Sequence, residues 1–469
     1  MPITLADLDR MMASRWEHER LEFKEAKQQY DIHKLHRYCI ALANEGGGYL
    51  VLGVSDKLPR KVVGSHAYPN VGALVSEVLN KLHLRLDVTE LAHPDGRVLV
   101  IEIPSRGMGQ PLHLEGTYLM RAGEELVPMS ADQLRRIFNE GQPGYLDQHA
   151  AVAKTADEVV ALLDIQTFFE LIKLPLPVTR DATLERLASE RIIARQGDGW
   201  CISNLGALLL AKDLRSFEGL RRKTARVITY EGTDKLKPVR DQTGGKGYAV
   251  GFEGLISYVN SQIPANEVIG QALRIETRMY PEIAVRELVA NALIHQDFEE
   301  TGGSVMIEIY ADRMEISNPG RPLIPVDRFV DEYKSRNERL ADLMRRMFIC
   351  EERSSGVDKV VAATEFYQLP APDFRVSEQR TTALLFAHQD FGAMGGRDRI
   401  RACYLHCCLL YVGNKRMTNQ SLRERFKLPD NKAETVSRII GDAIEDGKVK
   451  PEDPSSRSRR YAKYVPYWA

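Results

Sequence analysis

The run YPEIAVRELVANALIHQDF, Tyr280 to Phe298, constrains this chain more than any other stretch. It reads as one amphipathic helix with Glu287 and Asn291 four residues apart. That spacing puts a carboxylate and an amide on one face, a turn apart. About 30 residues downstream, ADRMEISNPGRPL reads as a strand ending in a turn at Asn318, Pro319 and Gly320. A helix of this kind followed by a strand pair and a glycine turn can hold a metal-bound triphosphate.

A chain of 469 residues is too long for one core, so about three domains are expected. No apolar run approaches the roughly 20 residues that cross a bilayer, and no membrane partner is expected. The start, MPITLADLDRMMASRWEHE, lacks a basic region followed by an apolar core, so no secretory signal is read there. The six cysteines form no CxxC, which removes metal-site spacing and makes a reduced cytoplasmic setting the expectation. Net charge is −1, but its distribution is uneven. Residues 391–469 hold 16 Lys plus Arg against 9 Asp plus Glu, a balance of +7 that leaves −8 for the remainder. A basic end on a near-neutral chain points to a polyanionic partner.

Pattern changes divide the chain into four segments, giving an α+β multidomain fold. In 1–145, helices at Thr4 to Ser14 and Asp31 to Asn44 flank the strand LEFKEA. Three glycines then lead into YLVLGVSD, strands follow at RVLVIEIP and TYLMRAGEELVP, and the helix SADQLRRIFNE closes the segment. In 146–215, two helical segments, a hairpin and a further helix suit a small winged-helix-like unit. In 216–390, the strand TARVITYEG and the loop DQTGGKGYAVG precede the Glu287/Asn291 helix, and strands SVMIEIYADRMEISNPG and TTALLFAHQ complete a helix-plus-sheet layer. In 391–469, three helices and a basic arm follow the order of a winged helix-turn-helix.

The runs EHERLEFKEA, ALANEGGGYLVLGVSD and PLHLEGTYLMRAGEE resemble the Schlafen-like AlbA domain over roughly 130 residues, in the family's motif order. That resemblance implies nucleic-acid binding. In Schlafen relatives that cleave RNA with three acids, the matching positions are Glu17, Glu22 and Asp56, which implies a Mg²⁺ or Mn²⁺ site if this chain is a nuclease. Lys24, Lys27 and Arg121 are candidate phosphate contacts. Gly46, Gly47 and Gly48 read as a turn needing positive φ or close backbone approach.

The Tyr280–Phe298 run resembles the N-box of GHKL-type ATP-binding domains, in the form found in bacterial RecG-related or Schlafen-like regulators. The resemblance implies a GHKL-like α/β sandwich binding ATP and Mg²⁺. Glu287 would activate water for a weak ATPase, and Asn291 would give its amide oxygen to Mg²⁺. The carbonyl of Asn318 would accept from adenine, and Gly320 would let the backbone approach the base. Phosphates would lie against Ser355 and Gly356, where EERSSGVDKV stands in place of the family's E-x-G-x-G. YKSRNERLADLMRRM would form a lid. No G-x-x-x-x-G-K-[ST] occurs in the chain, so a motor helicase is not implied.

In TNQSLRERFKLPDNKAETVSRIIGDAIEDG, Thr418 or Asn419 caps a short helix, and Val436, Ile439, Ile440 and Ala443 stripe the next one. Lys432, Ser437 and Arg438 face outward, where a recognition helix meets base edges. Arg457, Arg459, Arg460 and Lys463 form a basic arm suited to phosphate.

The expectation is a cytoplasmic, ATP-binding, nucleic-acid-binding transcriptional regulator, homodimeric as GHKL domains often are, with DNA ahead of RNA. Two alternatives stand beside it: a metal-dependent nuclease acting in defence on RNA or single-stranded DNA, and a non-catalytic assembly protein with a degenerate ATP site.

Overall fold

The computed structural model describes residues 3–13, 20–123, 125–141, 143–269, 274–300, 302–350, 356–454 and 462–469. The architecture is mixed α+β, in two compact units, Met1–Gln142 and Pro143–Ala469.

In the first unit four strands lie in the order Leu21–Lys24, Gly48–Leu52, Gly96–Ile103, Asp87–His93. The first pair is parallel and the others antiparallel. Both faces are covered. The helices Ile32–Asn44 and Val71–Leu82 bury Leu35, Ile40, Leu74 and Val78 on one side, and Leu8 joins Phe23, Val51 and Val100 on the other. Burial on both sides is why YLVL and VLVI read as unbroken apolar runs. The expected strand TYLMRAGEELVP is a hairpin, Thr117–Ala122 against Glu125–Pro128. Val71–Leu82 was not legible as a helix, although Asn70 caps it by accepting from the Ala73 N–H at 3.0 Å.

The glycine turn has a steric cause. Gly46 and Gly47 take φ of +92° and +89°. A Cβ on Gly47 would lie 2.8 Å from the Ile103 carbonyl oxygen, and one on Gly48 would collide with the Arg20 carbonyl.

In the second unit, strands His149–Lys154, Gly199–Ser203 and Ile193–Gln196 form a small antiparallel sheet beside four short helices. Its core is continuous with that of a six-stranded sheet. That sheet runs Pro238–Thr243, Arg226–Tyr230, Met306–Ile309, Arg313–Pro319, Arg380–Phe386, Asp373–Val376. The end of the strand Pro238–Thr243 falls in DQTGGKGYAVG, where a loop was expected. It is exposed along its length, an edge strand without the apolar alternation that marks a half-buried one.

Glu282–His295 is the expected helix, but it is not amphipathic in place. Beyond its first turn it is buried on nearly every side, because it is packed against the sheet and against the helices Tyr248–Gln262 and Gly356–Phe366.

The C-terminal segment packs Gly396–Val412, Asn419–Arg425 and Ala433–Glu445 around one core, with a two-stranded ladder of Val449–Pro451 and Tyr464–Pro466. Thr418 caps the middle helix through a reciprocal pair with Ser421. Gly447, at φ +65°, follows the last. No helix among the described residues is long and apolar enough to cross a membrane.

Gly47→Ala should lower the stability of the first unit by about 1–3 kcal/mol, through the positive φ and the Ile103 contact. A urea titration comparing the midpoint with that of the unaltered chain checks this.

Candidate functional site

Glu287 and Asn291 open onto a cavity of about 570 Å³. It is also lined by Asn318 and Thr381 from neighbouring strands, by Phe329, Glu332, Tyr333 and Lys334 from one loop, and by Gly356. Three separate sequence motifs therefore meet in one hollow. Gly356 explains why the third motif keeps a glycine. A Cβ there would sit 2.7 Å from Glu287 Oε2 and 3.6 Å from Asn291 Nδ2. Ser354 and Ser355 lie outside the described residues.

Among the described residues, Arg321, Lys334, Arg336 and Arg345 bring positive charge to the cavity lining. Arg336 is committed to Asp297 and also donates to the Arg321 carbonyl at 2.8 Å, and Arg345 pairs with Asp342. Lys334 has no ion pair among the described residues. His295 is edge-on to Tyr333, with ring centroids 5.9 Å apart. Burial and the nearby Arg336 push its imidazole down to about 4, so it is neutral near pH 7.

The second motif is built differently from expectation. Gly320, at φ +94°, does not line the cavity. Its missing Cβ admits Asp297, whose Cβ would otherwise be 2.6 Å away, and the Asp297 N–H donates to the Pro319 carbonyl at 2.9 Å. The glycine joins two parts of the site rather than clearing room for a ligand. The Asn318 side chain donates to the Pro319 carbonyl at 3.0 Å, and Thr381 Oγ1 donates to the Gly320 carbonyl at 2.8 Å.

The run Ser335-Arg336-Asn337 fastens the helix. Asn337 Nδ2 donates to the carbonyls of Ile294 and Gln296 at 2.7 and 2.8 Å, satisfying backbone groups that the helix end leaves without partners. Gln296, wholly buried, donates to Tyr248 Oη at 3.0 Å.

In the first unit the described carboxylates of the expected metal site, Glu22 and Asp56, are paired with cations. Glu22 is buried and lies 2.5 Å from the Arg121 guanidinium and 2.6 Å from Lys24 Nζ. Asp56 reaches the same Lys24 at 3.2 Å. Burial works against the Lys24 charge, but Glu22 outweighs it and holds the ammonium above its ordinary value. A divalent ion would have to displace both cations to reach Glu22. Glu17 lies outside the described residues, and among those described no cluster of three or more His, Cys, Asp or Glu groups is placed to hold a metal. Arg121 is likewise corrected. It is buried, donating to the carbonyls of Gly123 and Leu21, and cannot contact phosphate.

Beside Lys24 is a cleft of about 440 Å³ lined by Tyr30, Lys34, Arg37 and Tyr38, residues that the sequence reading missed, and by Glu125 and Leu126. Lys34 and Arg37 lie three apart on the exposed face of Ile32–Asn44 and make no ion pair among the described residues. The Tyr30 hydroxyl is buried there without a hydrogen bond among the described residues. Their helical spacing was the available signal. Lys27 is exposed and pairs with Glu25 at 3.1 Å.

In the C-terminal segment Lys432, Ser437, Arg438 and Lys463 are exposed, and Ser437 accepts from Asn419 at 3.0 Å. Arg457, Arg459 and Arg460 lie outside the described residues.

Residues 302–385 match the family model described as "Putative ATP-dependent DNA helicase recG C-terminal", and residues 17–130 match the Schlafen AlbA_2 model. The chain thus carries two recognised modules, both anticipated from its motifs; the Glu287/Asn291 helix lies just ahead of the first match. Among solved structures it is similar to the DIP2311 protein of Corynebacterium diphtheriae, at 16% identity and a TM-score of 0.44, covering 98% of this chain and 96% of that one. A second similarity is to the N-terminal domain of a "Putative ATP-dependent DNA Helicase RecG-related Protein" from Nitrosomonas europaea, at 20% identity and a TM-score of 0.21, covering 27% of this chain and 91% of that one. No curated protein matches.

Asn337→Ala should cost about 1–3 kcal/mol by leaving two buried carbonyls without a donor. A lower midpoint in chemical denaturation of the full chain is the expected result.

Proposed function

We propose that this protein is an ATP-binding, nucleic-acid-binding regulator. The observation that carries the nucleotide half is the convergence of Glu287, Asn291, Asn318 and Gly356 on one cavity with cations at its wall. The match at 302–385 supports the same reading.

The residues present fit magnesium–ATP. The absent Cβ of Gly356 lets the start of its helix lie against the Glu287 carboxylate, beside Asn291. Asn291 offers a neutral oxygen donor that does not repel phosphate, and Lys334 and Arg321 supply positive charge. The ion, when bound, would offset the charge of the phosphates. Glu287, buried against Gly356, is the group to orient or deprotonate an attacking water. Phe329 and Tyr333 offer apolar surface for a base, and Asn318 with Thr381 offers polar groups beside it.

The nucleic-acid half is supported by the AlbA_2 match, by the Lys24, Lys34, Arg37 and Tyr38 cleft, and by the exposed Lys432, Arg438 and Lys463. Exposed cations a helical turn apart beside aromatic rings suit a phosphate backbone with accessible bases. DNA rather than RNA, a homodimer, a winged helix-turn-helix at 391–469 and a role in transcription belong to the same proposal. The nuclease reading is not favoured, because the Glu22 charge is already neutralised inside the protein.

Calorimetric titration with magnesium and a non-hydrolysable ATP analogue should show binding, and Asn291→Ala should weaken it by about tenfold or more. No heat from the unaltered chain at millimolar analogue would sink the nucleotide reading. For the cleft, the pair Lys34→Ala with Arg37→Ala should reduce the slope of log affinity against log salt by about 2 on duplex DNA. An unchanged slope would remove the cleft from the interface.

A further inference from the structure

Two walls of the Glu287/Asn291 cavity are held from behind by the C-terminal segment. The first wall is the loop that brings Phe329, Tyr333 and Lys334 to the cavity. At its start, Tyr404 Oη donates to the Asp327 carbonyl at 2.6 Å and Tyr467 Oη to the Asp327 carboxylate at 2.9 Å. The next residue, Arg328, lies 4.7 Å over the Trp468 ring, whose N–H donates to Tyr404 at 3.2 Å.

The second wall is the Gly356–Phe366 helix. It begins at Gly356, against Glu287, and near its end presents Glu365 to His406 Nδ1 at 3.1 Å and to Arg425 at 3.3 Å. Arg425 and His406 are both buried, and His406 Nε2 lies 3.2 Å from Ser421.

The apolar contacts agree. Val330 of the first wall and Val361 of the second belong to one core with Leu422, Val436, Ile439 and Ile440. Three of these, Val436, Ile439 and Ile440, are the buried stripe of the Ala433–Glu445 helix, whose outer face carries the exposed Ser437 and Arg438. Close-packed cores shift between discrete arrangements rather than deforming smoothly. A displacement of either cavity wall must therefore be accommodated by the helix that presents Arg438.

We propose that a nucleotide in the cavity and a nucleic acid on the Ala433–Glu445 helix bind interdependently, each changing the protein's affinity for the other by the same factor. Tyr467, Trp468, Glu365 and Arg425 are positioning residues that carry the coupling. The inference rests on the nucleotide and nucleic-acid reading above and adds regulation to it.

The test uses the full chain. A non-hydrolysable ATP analogue with magnesium is titrated with and without a saturating mixed-sequence DNA duplex, and the duplex with and without the analogue. Both affinities should shift by one common factor of at least about fivefold. The double variant Tyr467→Phe with Trp468→Phe removes two hydrogen bonds while leaving rings in place. It should bind each ligand alone as before and bring the common factor close to one; Glu365→Gln should do the same through the other wall. If both ligands bind the unaltered chain with no mutual effect, the coupling is overturned and the nucleotide reading stands; if the factor survives both sets of substitutions, the route through the C-terminal segment is overturned. If the analogue does not bind at all, the nucleotide reading fails and the coupling with it.

Discussion

The Glu282–His295 helix ends inside the protein, and its last carbonyls need donors there. Asn337 supplies two of them, and the bonds continue from Gln296 to Tyr248. Tyr248 Oη donates to the Lys223 carbonyl at 2.6 Å, and Lys223 Nζ donates to the carbonyls of Phe298 and Glu300 at 2.9 Å. Every side chain in this series is buried. Removing a member of such a chain is costly, because each group left unpaired bears its desolvation cost. It sets the depth and rotation of the helix, and so the place of Glu287 and Asn291. It also obliges the Ser335–Asn337 run to return to the helix end, which brings Arg336 to the cavity rim.

A second buried charge system governs the first unit. Arg121 and Lys24 both pair with Glu22 beneath the sheet edge, and Lys24 also pairs with Asp56. Such a cluster is no strong source of stability, since desolvation offsets much of the attraction. Its consequence is chemical. One of the three acids matched to a metal site is already occupied, and what the cleft offers is Lys34 and Arg37 beside two tyrosines, with Glu125 at the same cleft.

Legibility followed burial pattern. Apolar runs bounded by glycine or a capping residue, such as Gly48–Leu52, Gly96–Ile103, Ile32–Asn44 and Ala433–Glu445, were readable because period and caps agree. Pro238–Thr243 was not, since an exposed edge strand carries no period. Arg121 misled because residue type alone says surface, whereas its carboxylate partner lies about 100 residues away in sequence. Gly320 was correctly singled out as a glycine position but for another reason. What it approaches is Asp297, a contact between motifs.

Local order determined the motifs: which residues share a helix face, where caps and glycine turns fall, and that acids, amides and cations are grouped as they are. These depend on neighbours within one or two turns, so the amino-acid string is enough to state them. Tertiary packing alone decided which groups are available. It drew Glu287, Asn318 and Gly356 to one cavity, withdrew Glu22 and Arg121 from solvent, and set the C-terminal aromatics behind the cavity wall. Those outcomes rest on desolvation and on partners distant in the chain, and no local pattern encodes either.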